Sequence, residues 1–554
     1  MPAPSKLSPV LIAGAGPAGL VAALTLMRNE IPVRIIEKSP KYNVGQRGPG
    51  IFPRSLELFN FLGVPEINEV GQVIPLIRRY RSGIQEVVDI FRMVPETKPT
   101  PAIPFYVPKL IGQQTLEGIL RSHLEKLSCF VELETELRSF EQFPDHVTAH
   151  IVKKQGDKKV LETFEASWLI GTDGAKGVVR KGLNLPFVGE TRDSIRVLIG
   201  DIRLTGVGID RTHWHHFGTH ADKKAANLRP TDEVGENGFQ MTLTGTDLDP
   251  PKLLADNNEL FAYISEATGA DITFHEVVWA SEFRPNIRMV NKFGEGRVFI
   301  AGDAAHAHSP TGGQGLNSSV QDSLNICWKL ALVYKGLAPP SLLDTYTTER
   351  LPVITEMLQL TTAILNQASN QPESHHFHRG LKLFMLGVNY RFSPIVLDEF
   401  VTEARPINAY GILDEGRLEA GDRAPDAPEL VEMKAGSGAT TKLFDVYRPL
   451  YHTVLVFTPG VAQAESALSI LSRYDPNVVR SVVVLPTSAA TCQQIDSPAD
   501  LVLADKEGHA YAAYLIKEGE TRIVVVRPDG VVGAITRGGE GLGKYFDGIF
   551  EFST

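Results

Sequence analysis

The sequence predicts an α/β architecture of several domains, and three observations carry that reading. Near the N-terminus a short apolar run opens into a glycine-rich turn and then a helix. Strand-like and helical runs alternate again beyond Lys442, and between these two regions lies a stretch that is almost all strand. A chain of 554 residues also exceeds what one ordinary core organises.

The first element carries the strongest signal. VLIAGAGPAGLVAALTLMRNEIPVRIIEK reads as a strand from Val10 to Ala13, the turn Gly14-x-Gly16-x-x-Gly19, an Ala/Leu-rich helix and a second strand from Val33 to Ile36. Gly14 permits a tight turn, Gly16 lets a pyrophosphate approach the backbone, and Gly19 lets helix and strand pack closely. The phosphates then meet the free N–H groups and positive end of a helix. Glu37 closes the second strand at the spacing of an acid that binds an adenosine ribose and repels a 2′-phosphate. The result is a Rossmann-like site for FAD or NAD, which the motif alone does not tell apart.

The second element, ASWLIGTDGAKGVVRKGLNLPFVG, is a strand from Trp168 to Ile170 followed by Asp173-Gly174 and the basic pair Arg180-Lys181. Alone it is an ordinary turn signal. The third, GDAAHAHSPTGGQGLN, follows the strand-like RVFIA and holds four glycines, two histidines and an aspartate. Glycines add little to a core and cost backbone entropy when ordered, so something other than packing is expected to hold this loop. Asp303 follows the strand, where a carboxylate can accept hydrogen bonds from a polyol such as ribityl. GGQGLN offers backbone N–H groups at the start of a helix running through Asp322, Trp328 and Leu330, a seat for developing negative charge.

In this order the three segments resemble the class A flavoprotein aromatic hydroxylases, over nearly the whole chain. The similarity is strongest to the phenol hydroxylase branch, whose loop GDAxHxHxPxxGQGxN is followed by D-x-x-N-x-x-WKL, here Asp322, Asn325, Trp328, Lys329 and Leu330. The resemblance implies that Gly14, Gly16, Gly19, Glu37 and Lys38 bind the ADP half of FAD, with Arg47 near the diphosphate and Gln113 at the ribityl region. Asp173 would serve FAD and NADPH together. Asp303 would hold the ribityl chain, with Pro310, Gly313, Gly315, Leu316 and Asn317 facing the isoalloxazine.

Four segments are expected on the same grounds. Residues 1–190 begin the FAD-binding domain, with substrate-domain insertions from about 75–110; residues 191–285 form a substrate-binding β-sheet domain; residues 286–415 complete the FAD domain; and residues 416–554 form a thioredoxin-like α/β domain. The charged, Ala/Pro-rich run from Glu415 to Pro428 reads as a linker. With only Cys492 beyond it and no CxxC, the last domain is expected to be structural, at a homodimer interface.

In the middle sheet His216, Arg229 and Gln240 are candidates to face substrate or flavin, the alternative for Arg229 and Gln240 being plain surface. RTHWHHFG reads as a strand whose alternate side chains face a pocket and solvent. His213 and His215 share a face but lack a third ligand, so no metal is expected; His306 and His308 are read as braces of the flavin loop. Two departures stand out. Where phenol hydroxylases carry a catalytic aspartate this chain has Pro49, and where they carry an active-site tyrosine it has Phe283. Arg229, His216, Phe283 and Pro310 are therefore the residues expected around the reacting ring.

Composition sets the remaining bounds. A net charge of −10 argues against general nucleic-acid binding. The opening MPAPSKLSPV has no leader pattern, and the apolar run from Val10 to Met27 is broken by GAGPAG, so neither secretion nor a membrane span is expected. Cys129, Cys327 and Cys492 are too few and too scattered for a disulfide framework, which fits the cytoplasm. The expected activity is NADPH- and O2-dependent hydroxylation of a phenolic or hydroxybenzoate-type ring through a C4a-hydroperoxyflavin. Oxidative decarboxylation and a flavin oxidase or dehydrogenase are the alternatives.

Overall fold

The computed structural model describes residues 7–156, 158–192, 195–370, 379–402, 406, 408–434, 439–489 and 495–551. Its first sheet has six strands in the order Gly294–Glu295, Val298–Ile300, Leu169–Gly171, Val10–Ala13, Val33–Ile36, Val131–Glu132. All but the first are parallel. Strands VLIA, LIG and VFI are buried at every position, without alternation, because a parallel sheet is covered on both faces. The three segments singled out above therefore leave the same end of three adjacent strands, with Ala13 paired to Gly171 and Gly171 to Ile300. In open α/β sheets ligands bind at that carboxyl end.

Two helices begin at this end. Pro17–Arg28 has proline in its first turn, where no intrahelical N–H is needed, and Gly315–Tyr334 packs against it, with Ser323 Oγ donating to Ala18 O at 2.8 Å. The second sheet has seven strands in the order Ile272–Phe283, Val197–Gly206, Gly238–Thr244, Ala225–Pro230, His213–Phe217, Leu76–Tyr80, Val87–Phe91. One face of it buries Ile202, Phe217, Met241 and Leu243 against the helices Pro250–Ala255 and Asn257–Thr268. The third builds the C-terminal unit around three parallel strands, His452–Phe457, Val479–Leu485 and Leu501–Asp505, with Arg522–Val526 and Val532–Thr536 antiparallel at one side. KLFDVY contains a helical turn at Leu443–Val446. Cys492 lies outside the described residues.

The linker reading is corrected. Residues 420–427 are buried throughout. Gly421 N donates to Val532 O and Ala424 N to Gly530 O, while Arg423 forms a buried ion pair with Glu57 of the helix Pro53–Phe61. Ala/Pro/charge composition cannot distinguish a solvated linker from a strap whose charges find buried partners far away in sequence.

Burial also makes the protein sensitive to acid. His216 and His452 are withdrawn from water, which pushes both imidazoles down to about 3. The unfolded chain takes up these protons near pH 6.5 and the native state does not. Stability is therefore complete above that pH and falls as pH drops toward 3, by about 1.4 kcal/mol per pH unit per histidine. Asp426, pushed up to about 6 by burial, works in the opposite sense and offsets one of them. His452→Phe is expected to flatten the fall in urea midpoint between neutral pH and pH 5. An unchanged slope would assign the acid sensitivity elsewhere.

Candidate active site

The first turn has the shape of a phosphate cradle. Gly14 sits at φ +106°, and a Cβ there would lie 2.4 Å from Thr172 O; one on Gly19 would lie 2.0 Å from Gly14 O. A Cβ on Gly16 would meet nothing within 4 Å. Two glycines are thus demanded by the protein's own packing, and the third leaves free space at a helix N-terminus. Glu37 is braced toward this turn, accepting from Ala15 N at 3.1 Å and Ser39 N at 2.9 Å, with further carboxylate lone pairs left over. Lys38 is exposed beside it.

The second loop adds a carboxylate next to the first. Asp173 Oδ2 accepts from Val178 N and Val179 N, capping the short helix Val178–Gly182. Its buried Oδ1 has no partner among the described residues. Burial raises the Asp173 pKa, and the backbone N–H groups only partly counter it.

In the third loop Asp303 occupies the single turn Gly302–Ala304. Its exposed carboxylate accepts no hydrogen bond from any described residue, as suits a ligand for a polyol. The buried Asp322 fixes the backbone beneath it, accepting from Gly302 N at 3.1 Å and Arg350 Nε at 2.7 Å and lying 2.7 Å from His306 Nε2. Burial would raise the Asp322 carboxyl, but Arg350 and His306 outweigh it and hold the pKa near 2. His306 was legible as a brace; its partner was not. His308 packs on the helix start, where a Cβ on Gly315 would lie 2.8 Å from its Nε2.

Gly315, Leu316 and Asn317 open the helix Gly315–Tyr334, and first-turn N–H groups have no acceptor within a helix. Asn317 also ties this end to a neighbouring loop: its Oδ1 accepts from Phe52 N and its Nδ2 donates to Gly50 O and Gly313 O, each at 2.9 Å. Pro310 is exposed at the start of the turn Pro310–Gly312.

The seven-stranded sheet grips this region through one polar chain. Arg229 is buried, which pushes its pKa down to about 10, and its Nη2 donates to Gln46 Oε1 at 2.6 Å. Gln46 in turn donates to both oxygens of the buried Asp201. Gln240 Oε1 accepts from Arg229 Nε and Nη2, while its Nε2 donates to Arg47 O at 2.7 Å. Neither Arg229 nor Gln240 is free surface; together they hold the loop that carries Arg47 at φ +49°. The exposed Arg47 lies over the Trp279 ring at 5.6 Å. Gln113 N donates to Gln46 O, and its side-chain amide is engaged by Glu117.

The histidine strand differs from its expected form. His213 and His215 do lie on one side, with Asp210 and Tyr80, but His215 is fully buried rather than solvated. His216 points to the other side against Trp214, ring centroids 5.2 Å apart. Phe283 is half-buried at the end of the strand Ile272–Phe283, paired with Val197. Among the described residues no cluster of three His, Cys, Asp or Glu side chains is placed to hold a metal ion.

Comparison with known proteins relates the chain as a whole to flavin-dependent enzymes. A family model described as FAD binding domain covers residues 8–361, and one described as phenol hydroxylase, C-terminal dimerisation domain, covers residues 491–553. The chain is 34% identical over 542 residues to a flavin-dependent monooxygenase of Mycobacteroides abscessus, spanning 97% of this chain and 98% of the relative. To pentachlorophenol 4-monooxygenase of Sphingobium chlorophenolicum it is 28% identical over 512 residues, spanning 88% and 87%. In fold it is similar to the flavin-dependent monooxygenase PieE, solved with FAD and substrate (TM-score 0.77, 21% identity, 99% of this chain and 100% of that one). The same holds for aklavinone-11 hydroxylase, solved with FAD and aklavinone (TM-score 0.77, 24% identity, 98% and 99%).

Proposed function

The chain belongs to the FAD-dependent aromatic monooxygenases, and from that premise we propose that it hydroxylates a phenolic ring, single or fused, using NADPH and O2. The observation that carries this reading is the exit of all three cofactor segments from one end of three adjacent parallel strands, beside the seven-stranded sheet. FAD, when bound, supplies the redox chemistry: it accepts a hydride from NADPH and passes one oxygen atom of O2 to an electron-rich ring.

The chain's own residues bind, orient and polarise. In this reading Gly14, Gly16 and Gly19 seat the diphosphate, Glu37 the adenosine ribose, and Asp303 the ribityl chain. The first-turn N–H groups of Gly315, Leu316 and Asn317 stabilise negative charge at one edge of the ring system. Arg229, through Gln46 and Gln240, sets the position of the loop bearing Arg47. His216 is a poor base for this chemistry: with its pKa near 3, it does not take a proton from a phenol whose own pKa is near 10. Pro49 and Phe283 bring no acid or base either.

The relatives' names include a polychlorinated phenol and the fused-ring aklavinone, which supports a phenolic substrate, and they favour oxygen insertion over the oxidase and decarboxylating alternatives. The match to a dimerisation domain supports a homodimer, and the C-terminal unit is the part we assign to it as thioredoxin-like. Three scattered cysteines support a reducing cytoplasm; no described helix is long and apolar enough to cross a membrane.

Aerobic NADPH consumption by the FAD-loaded protein, with product masses read in parallel across phenols, hydroxybenzoates and fused-ring phenols, tests the reading. The expected result is a substrate that speeds NADPH loss and gains one oxygen. Simultaneous loss of CO2 would identify the decarboxylating reaction, and peroxide as the sole product across the panel would overturn hydroxylation.

A further inference from the structure

With the usual activating groups absent, the question is what favours the reactive, ionised form of the ring. The seven-stranded sheet and the flavin loop meet near a cation that no sequence motif marks. Arg379 is anchored by its backbone, Arg379 N donating to Met93 O at 2.7 Å. Its guanidinium lies against the flavin loop: a Cβ on Gly313, at φ +65°, would be 3.2 Å from Arg379 Nη1 and 3.2 Å from the Phe52 ring. From the sheet side, the His216 pKa is depressed by burial first and then by the charges of His215 and Arg379, so Arg379 is also within electrostatic reach of that wall.

What sets Arg379 apart is that no counter-ion stands beside it among the described residues. Arg350 pairs with Asp322, Arg527 and Lys329 with Glu349, and Arg54 and Arg423 with Glu57. Even Arg229 has the amide oxygens of Gln46 and Gln240. The Arg379 guanidinium makes no ion pair or hydrogen bond with any described residue, although its surroundings withdraw it from water enough to bring its pKa down to about 10. It is still charged at neutral pH. A cation held partly out of water without a partner is costly, and it favours any anion that supplies the missing acceptors.

We propose that Arg379 is a specificity-determining residue that receives the anionic oxygen of the substrate, a phenolate or aryl carboxylate, beside the flavin loop. Its planar donors match either group, and its charge favours a phenol's ionised, electron-rich form without a protein base. The proposal rests on the hydroxylase reading, but its test does not require turnover.

Binding to the FAD-loaded full-length protein is titrated by flavin difference spectra at neutral pH. Pentachlorophenol serves as an ionised phenol, 4-hydroxybenzoate as a carboxylate and phenol as the neutral control, with wild type, Arg379→Met and Arg379→Lys compared. Arg379→Met is expected to raise the Kd of at least one anion tenfold or more, leaving phenol within about twofold, with Arg379→Lys in between. Which anion responds identifies the group bound. Equal weakening of anions and phenol, or no change, would overturn the proposal. So would a lowered flavin midpoint potential in Arg379→Met with anion preference intact, since the charge would then serve the flavin. If Arg379→Met fails to retain FAD, Arg379→Lys decides: wild-type anion affinities in that variant count against the proposal. Failure to find an oxygenated product would strike the hydroxylase reading and leave these Kd ratios standing.

Discussion

Glu349→Gln should destabilise the protein by about 3–5 kcal/mol, the cost of removing one partner from a buried charged network. Glu349 lies in the helix Asp344–Asn370 and is fully buried. It accepts from Arg527 Nη1 and Nη2, Lys329 Nζ, Asn325 Nδ2 and Ser393 Oγ, at 2.7–2.9 Å. Burial opposes its charge, but Arg527 and Lys329 more than offset that and hold the carboxyl well below its usual range. Lys329 is already pushed down to about 8 by burial, so losing the carboxylate's charge would leave it with Asn325 and the more distant Asp529. The network joins the flavin-side helix Gly315–Tyr334 to the C-terminal sheet, and Trp328 reports on it directly through its Nε1 donation to Asp529. Urea unfolding of the holoenzyme followed by tryptophan fluorescence is the measurement. A loss below about 1 kcal/mol would mean the two units are held together by apolar packing, with the ions incidental.

Gly16→Ala should leave the fold intact and reduce FAD affinity by about two orders of magnitude, the equivalent of two charge-assisted hydrogen bonds at roughly 1.5 kcal/mol each. The reasoning is steric and local. A methyl group at this position meets no protein atom within 4 Å, and the backbone, at φ −74°, is one that alanine adopts freely. In the proposed reading, what it would meet is the diphosphate. Gly19→Ala is the contrasting variant, since its methyl would fall 2.0 Å from Gly14 O and displace the helix itself. Apoprotein melting and FAD titration separate the two: Gly16→Ala should melt like wild type and bind FAD weakly, and Gly19→Ala should fail in both. Wild-type FAD affinity in Gly16→Ala would remove the diphosphate from this turn.

How much of the site was legible follows from the range of each constraint. The three glycines, Glu37, Asp173, Asp303 and the helix start at Gly315 obey rules local to a few residues: a turn that must be tight, a backbone that must be approached, a strand end that must carry a carboxylate. Such rules leave a spacing in the sequence. Their convergence follows once the three strands are parallel neighbours, because each loop then leaves the same sheet end. Pro49 and Phe283 were read as departures only through the resemblance to phenol hydroxylases.

The remaining pieces depend on partners far apart in the chain. Arg229 reads equally well as surface or as a substrate ligand until folding brings Gln46 to its guanidinium, 183 residues away. Residues 420–427 look like a linker until Arg423 reaches Glu57, 366 residues away. His306 needed Asp322 and Arg350, and the setting of Arg379, with no counter-ion among the described residues, is one that no local pattern records. Sequence alone determined the fold class and marked the glycine turns, because both rest on backbone geometry and burial period. Only the tertiary structure decided which charges are paired and which stands without an acceptor among the described residues, because the cost of a buried charge depends on who stands beside it.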